Sequence, residues 1–147
     1  SIRPPVVREP ADIGQVIAGI RARYGHIIRE ASVAQGVHPI VITAIIYEES
    51  KGNPYAVSKK SCKGLTQICN GTAQEFGVRD VFDPRENILG GAKIFAAYRR
   101  KVGGSFDRAL VAYNAGPYSE LFDDPNFDPA QYEYVRRVKR TIAYLSA

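Results

Sequence analysis

The chain has 147 residues, enough to bury a sizeable core and few enough for one domain. Hydrophobic residues make up 45% and charged residues 24%, ordinary proportions for a globular protein, and no apolar run approaches the length of a bilayer span. The net charge of +5 favours an anionic partner, but the Lys and Arg residues form no basic block and no stacked-aromatic pattern, which speaks against a dedicated reader of nucleic acid.

The first ten residues hold three prolines and read as an extended arm over 1–10, ahead of a single domain over 11–147. The start, Ser1-Ile-Arg-Pro-Pro5, lacks an initiator Met and reads as the beginning of a processed or trimmed chain, compatible with a signal peptide or lipid anchor upstream. Helical periodicity follows. Ile13, Val16, Ile17, Ile20, Tyr24, Ile27, Ile28 and Ala31 share one apolar face that ends before Gly36.

Pro39 suits the first turn of a second helix, predicted over 39–50. Its aliphatic residues Val41, Ile42, Ile45 and Ile46 fall on one face, and at about 100° per residue Glu49 projects from the middle of that stripe. Glu48 lands near the edge and Ser50 well off it. A carboxylate facing an apolar wall is costly to ionise, so its pKa is expected to rise toward the range of a general acid near neutral pH. The plainer alternative is that Glu49 sits at a frayed helix end and turns to water.

Residues 51–61 are turn-rich and read as a surface loop. Cys62 and Cys69 can bridge a short loop in an oxidising compartment if a turn lies between them; a regular helix or strand there would hold their Cα atoms too far apart. With no further Cys pair, two His and no His-Glu-x-x-His spacing, no zinc site is expected. Gly64-Leu-Thr-Gln67 reads as a turn or a brief extended piece, leaving room for at most a small hairpin within 57–68. A short helix is predicted over 72–76, ending at Gly77. Asp83-Pro84-Arg85-Glu86 has capping-box spacing with Pro at the first helical position, so a helix is predicted from 84 to about 102, stopped by Gly103-Gly104. Ser105 caps the next, which Gly116-Pro117 ends. Asp128-Pro129 repeats the capping pattern for a last helix with Val135, Val138, Ile142 and Leu145 on the core. The predicted fold class is mostly α, with about six helices.

Four segments then line up in order: Glu49-Ser50, Gly64-Leu-Thr-Gln67, Ala112-Tyr-Asn-Ala-Gly-Pro117 and Tyr134-Val-Arg-Arg-Val138. Together they resemble the soluble-type family 1 lytic transglycosylases, whose catalytic domain has the goose-type lysozyme-like fold. The stretch from Gly36-Val-His-Pro39 through Gln67 is most similar to the small endolytic members. The resemblance implies that Glu49 is the sole catalytic acid and that Ser50 orients it or the substrate's N-acetyl group. It also implies that Gln67, Tyr113 and Asn114 line the glycan cleft and that the Tyr134 hydroxyl approaches the acid. Each has a plainer alternative: a helix-end cap for Ser50, a surface amide for Gln67, a core aromatic for Tyr113, a C-cap for Asn114. Thr66, Cys69-Asn70 and Ala130-Gln131 depart from the common Met, Met-Pro and Glu-Thr of the family.

A pair of glycosidase carboxylates would stand about 5–5.5 Å apart for retention or 6.5–9.5 Å for inversion, and no second acid stands out in this chain. The resemblance accordingly implies cleavage of the MurNAc-β-1,4-GlcNAc bond of peptidoglycan without water, to 1,6-anhydroMurNAc ends, with no cofactor or metal. A goose-type muramidase that hydrolyses the same bond, or a catalytically silent glycan-binding or assembly module, are the competing readings. The expected partner is the glycan strand, acted on by a monomer in the periplasm or cell envelope, or in a secreted, virion-associated, secretion or conjugation setting.

Overall fold

The computed structural model describes residues 12–147; the arm expected over 1–10 lies outside the described residues. Six α-helices and two short 3₁₀ turns make up the described chain, with isolated β-bridges in place of strands.

α1 (Ile13–Gln35) starts at Asp12, whose side chain accepts from the Gly14 N–H, and ends at Gly36, whose left-handed φ of 67° lets its N–H reach the Ser32 carbonyl. Its buried face is Ile17, Ile20, Tyr24, Ile27, Ile28 and Ala31; Ile13 and Val16 pack at the margin. α2 (Pro39–Ser50) follows directly, capped by His38 Nδ1, which accepts from the Ile40 N–H at 3.0 Å.

α2 departs from the single apolar stripe. Ile42, Thr43, Ala44, Ile45, Ile46 and Ser50 are all buried, because α1 packs on one side of the helix and α6 (Glu133–Ser146) on another. Its polar side chains survive burial by bonding to carbonyls: Thr43 Oγ1 donates to Pro39 O at 2.8 Å, and Ser50 Oγ lies 2.8 Å from Leu65 O. Ser50, expected off the stripe, is therefore inside. The chain leaves α2 through Lys51, a non-glycine residue at φ 55°.

The hairpin allowed over 57–68 shrinks to two bridges, Val57 with Lys63 and Lys63 with Ile68. Between them Gly64–Gln67 forms a tight turn, across which the Cys62 and Cys69 side chains are joined as a disulfide. Gly64 cannot be replaced: its φ is 81°, and a Cβ would collide with the Val81 carbonyl and the Asn87 amide. α3 (Asn70–Glu75) begins two residues earlier than predicted, with Cys69 at its N-cap.

α4 (Pro84–Lys101) has Asp83 as cap, its carboxylate accepting from the Glu86 N–H at 2.8 Å. The box is not reciprocal, since Glu86 Oε1 accepts from the Arg79 N–H instead. Arg85 of α4 pairs with Glu30 of α1 near the surface. α5 (Phe106–Ala115) is capped by Ser105 Oγ, which accepts from the Arg108 N–H at 3.2 Å, and stops at Gly116. The Asp128-Pro129 cap opens only a 3₁₀ turn, Pro129–Gln131; Tyr132, extended at ψ 131°, breaks it from α6. Val135 and Val138 are fully buried, while Ile142 and Leu145 pack at the edge of the core.

Asn87 of α4 is the buried polar hub. It is 0% exposed and uses its whole amide: Nδ2 donates to Lys63 O at 3.1 Å and Val81 O at 2.7 Å, and Oδ1 accepts from the Thr66 N–H at 2.8 Å and Thr66 Oγ1 at 2.6 Å. Thr66 thus faces the core, against Gly91 of α4, where any Cβ would clash with it. The hydroxyl that replaces the usual Met serves this network and does not line the cleft.

Two outcomes are expected. The folded protein has no titratable thiol before reduction, and reduction lowers its melting temperature, the small loop being worth about 2 kcal/mol. Two reactive thiols in the native, unreduced protein would remove the bridge. Asn87→Ala leaves the Thr66 N–H and the Val81 carbonyl without partners, Lys63 O keeping the Ile68 N–H, and lowers unfolding free energy by about 3 kcal/mol in urea titrations. A loss below about 1 kcal/mol would mean that other contacts hold the turn.

Candidate active site

Glu49 lies one residue before the end of α2, partly buried, and its Oε2 accepts from the Tyr134 hydroxyl at 3.2 Å. Tyr134 comes from the first turn of α6 and is 2% exposed. Burial drives the Glu49 carboxyl up to about 7; the Tyr134 hydrogen bond and the Arg137 guanidinium pull it down, and Glu48 pushes it up slightly. Glu48 itself turns the other way, accepting from Thr141 Oγ1 at 3.2 Å.

Glu49 opens into a pocket of about 300 Å³ shared with Lys59, Lys60, Gln67, Tyr113 and Asn114. A second pocket of about 240 Å³ shares Lys60, Gln67, Cys69, Tyr113 and Asn114 with the first, so the two are one groove that continues past Thr72 to Gly116. Among the described residues, Glu49 is the sole carboxylate on that lining. Among the described residues, no three His, Cys, Asp or Glu side chains converge as a metal site would need.

The other sequence-derived candidates divide by what they touch. Gln67 sits at φ 56° with its Nε2 donating to Gly64 O at 2.9 Å and Ala56 O at 3.1 Å, which fixes the amide at the groove wall. Tyr113 is partly buried, its hydroxyl donating to Thr66 O at 2.7 Å; burial and the nearby Glu49 raise its pKa, so it stays neutral. Asn114 is exposed, its Oδ1 accepting from the Tyr132 hydroxyl at 2.7 Å. Ser50 is not bonded to Glu49. Its hydroxyl lies on Ile46 O and Leu65 O and accepts from the Gly52 N–H at 3.2 Å, so it joins α2 to the 64–67 turn.

Sequence reasoning missed Tyr132, Arg137, Lys59 and Lys60. Tyr132 was hidden by the expectation of one continuous last helix. Arg137 falls three residues after Tyr134, a spacing that would have placed it beside the acid.

The sequence model of the family described as Transglycosylase SLT domain matches residues 26–124. The membrane-bound lytic murein transglycosylase F 1 of Alkalilimnicola ehrlichii is 32% identical over 126 residues, covering 78% of this chain and 25% of that protein. A transglycosylase of Enterobacteria phage PRD1 is 34% identical over 89 residues, 60% of this chain and 33% of the phage protein. The chain spans about a quarter of the length of the bacterial relatives. Of solved structures, the 70 kDa soluble lytic transglycosylase of Escherichia coli superposes with a TM-score of 0.65 at 20% identity, covering 92% of this chain and 28% of that one. An inactive mutant of the lytic transglycosylase Slt of Pseudomonas aeruginosa, with Gln in place of a Glu, superposes at 0.61 and 25% identity, covering 85% and 22%. The fold is the lysozyme-like one expected, and the chain belongs to the Transglycosylase SLT domain family.

Proposed function

We propose that this domain is a peptidoglycan lytic transglycosylase that cleaves the MurNAc-β-1,4-GlcNAc bond and leaves a 1,6-anhydroMurNAc end. The observation that carries the reading is a groove with, among the described residues, a single carboxylate on its lining, partly buried and with its pKa raised to about 7. The names of the relatives, lytic murein transglycosylases, support the substrate class.

One carboxylate suffices when the substrate supplies its own nucleophile. Protonated Glu49 gives its proton to the glycosidic oxygen as the C1–O bond breaks, and the GlcNAc leaves with that proton. The N-acetyl group of MurNAc stabilises the positive charge at C1. Glu49, now a carboxylate, takes the proton of the C6 hydroxyl of the same sugar while O6 bonds to C1, which restores the acid. Both partners in ring closure belong to one bound residue, so proximity replaces the activated water that hydrolysis would need. Tyr134 is a positioning residue here: its hydroxyl, kept neutral by burial and by Glu49, donates to the carboxylate and fixes its rotamer. Gln67 and Asn114 offer polar groups to the glycan from the wall shared by the two pockets, and Tyr113 and Ser50 hold the turn that carries Gln67.

Hydrolysis by a second acid and water is the weaker reading, because among the described residues no further carboxylate lines the groove. A silent binding module is disfavoured by an acid kept at a raised pKa, a costly arrangement for mere binding. The acid, its tyrosine and the groove all come from one chain, which suits a monomer. Action on murein suits a cell-envelope setting, and a phage transglycosylase among the relatives is in keeping with a phage setting as well.

Glu49→Gln is expected to keep the fold and lower the rate of sacculus digestion about 10³-fold or more, since one group serves both proton transfers. The product of the native enzyme should be lighter by one water than a hydrolytic product in mass spectrometry. Reducing ends, or near-native clearance by Glu49→Gln, would overturn the proposal.

Tyr134→Phe removes a donor that favours the charged form of Glu49, so the Glu49 pKa rises further. The expected result is a rate lower by roughly 10–100-fold, with the upper arm of the pH–rate profile moved to higher pH. An unchanged rate and profile would reduce this tyrosine to packing.

A further inference from the structure

Tyr132 is fixed from several sides. It is extended, at φ −65° and ψ 131°, between the Pro129–Gln131 turn and α6. Both of its backbone polar groups are bonded: its N–H donates to Pro129 O at 3.1 Å, and its carbonyl accepts from the Arg136 N–H at 3.0 Å. Its ring meets Phe127 edge to face with 6.3 Å between centroids, and Phe127 meets Phe122 in the same way at 6.2 Å. The hydroxyl at the end of this stack is thereby held in place, and it donates to Asn114 Oδ1 at 2.7 Å.

Asn114, in the last turn of α5, is exposed and lines both pockets of the groove, whereas Tyr132 lines neither. The bond therefore draws the amide oxygen to a partner outside the groove. Among the described residues Asn114 Nδ2 has no hydrogen-bond partner, which leaves its two N–H donors to whatever the groove holds. A phenol also accepts, and an amide turned end for end would offer it Nδ2 instead. The Arg137 guanidinium favours the first arrangement. Burial raises the Tyr132 pKa and this cation lowers it; a positive charge beside the phenol oxygen is best met by lone pairs, which leaves the proton for Oδ1. Gln67 has the opposite polarity, since its Nε2 is spent on Gly64 O and Ala56 O and only Oε1 remains.

We propose that Tyr132 is a positioning residue for the substrate: it locks the Asn114 amide so that Nδ2 donates to an acceptor oxygen of the bound glycan strand. The proposal rests on the reading of the groove as a glycan cleft. An unanchored amide on an exposed helix end would present its oxygen or its nitrogen and would lose that freedom on each binding event. A bond made from outside the groove removes the choice in advance.

The test uses the full chain carrying Glu49→Gln, so that purified glycan strands persist during titration, and reads affinity by fluorescence anisotropy of labelled strands. Tyr132→Phe keeps the ring and its stack and is expected to weaken binding about 5-fold, and Asn114→Ala about 10-fold. The two together are expected to match Asn114→Ala alone within about 2-fold, because the hydroxyl acts only through the amide. Asn114→Asp still accepts from the Tyr132 hydroxyl but carries no N–H, so it is expected to bind as weakly as Asn114→Ala. With Glu49 intact, Tyr132→Phe raises KM about 5-fold and leaves kcat within about 2-fold. Losses that add, no loss in Tyr132→Phe, a loss in kcat at unchanged KM, or near-native affinity in Asn114→Asp would overturn the proposal, as would the absence of strand binding in the Glu49→Gln parent. The catalytic reading is judged separately, by release of anhydro ends from the native chain. Without them that reading fails, and the affinity cycle still decides the role of Tyr132.

Discussion

Two neighbouring carbonyls, Leu65 O and Thr66 O, receive the hydroxyls of Ser50 and Tyr113 at 2.8 and 2.7 Å, and the groove depends on this pair of bonds. Ser50 belongs to α2 and Tyr113 to α5, elements that do not follow one another in the chain. Asn87 of α4 holds the same turn from a third direction through the Thr66 N–H. A five-membered arrangement of backbone and side chain thus sets where Gln67 stands relative to Glu49. Each bond alone contributes modestly, but each also satisfies a buried group whose loss would cost more than the bond provides. The site is assembled around a piece of polar backbone that the core could not otherwise accept.

The acid is governed by an opposition. Burial raises its pKa, and a hydroxyl and a guanidinium lower it, so that it rests near the pH at which both its protonated and ionised forms are accessible. A fully apolar wall would leave it permanently protonated, and a second cation in contact would leave it permanently charged. The same α6 that brings Tyr134 and Arg137 to the acid carries Arg140 and Tyr144 farther on. One helix therefore tunes the acid and shapes the surface next to it.

Much of this was legible in the sequence because caps and periodicity are local. Asp83-Pro84, Ser105 and Gly36 mark helix ends by chemistry that needs no partner from elsewhere in the chain. The polar centre was not legible. Ser50 falls off the apolar stripe of an isolated helix and becomes buried where the 64–67 turn meets that side, the Leu65 carbonyl lying on its hydroxyl. Asn87 looks like any polar residue in a first helical turn, and its four bonds reach residues 6 to 24 positions away. Thr66 reads as a change beside the cleft and is instead turned inward to that amide. Tyr132 has helix-forming neighbours on both sides, yet it is extended, with its hydroxyl on Asn114.

The raised carboxyl of Glu49 also binds folding to proton uptake. In the unfolded chain this group titrates near 4.5, and in the folded protein near 7, so between those values the native state holds a proton that the unfolded state has released. Its contribution is complete below about pH 4.5 and is lost as pH rises through about 7, a difference on the order of 3 kcal/mol. Mildly acid surroundings tighten the fold, and alkaline ones loosen it, at the position proposed to move protons for the sugar. The ground the acid stands on is firmest when the acid is loaded, so conformational stability and the protonated fraction of Glu49 fall together as pH rises.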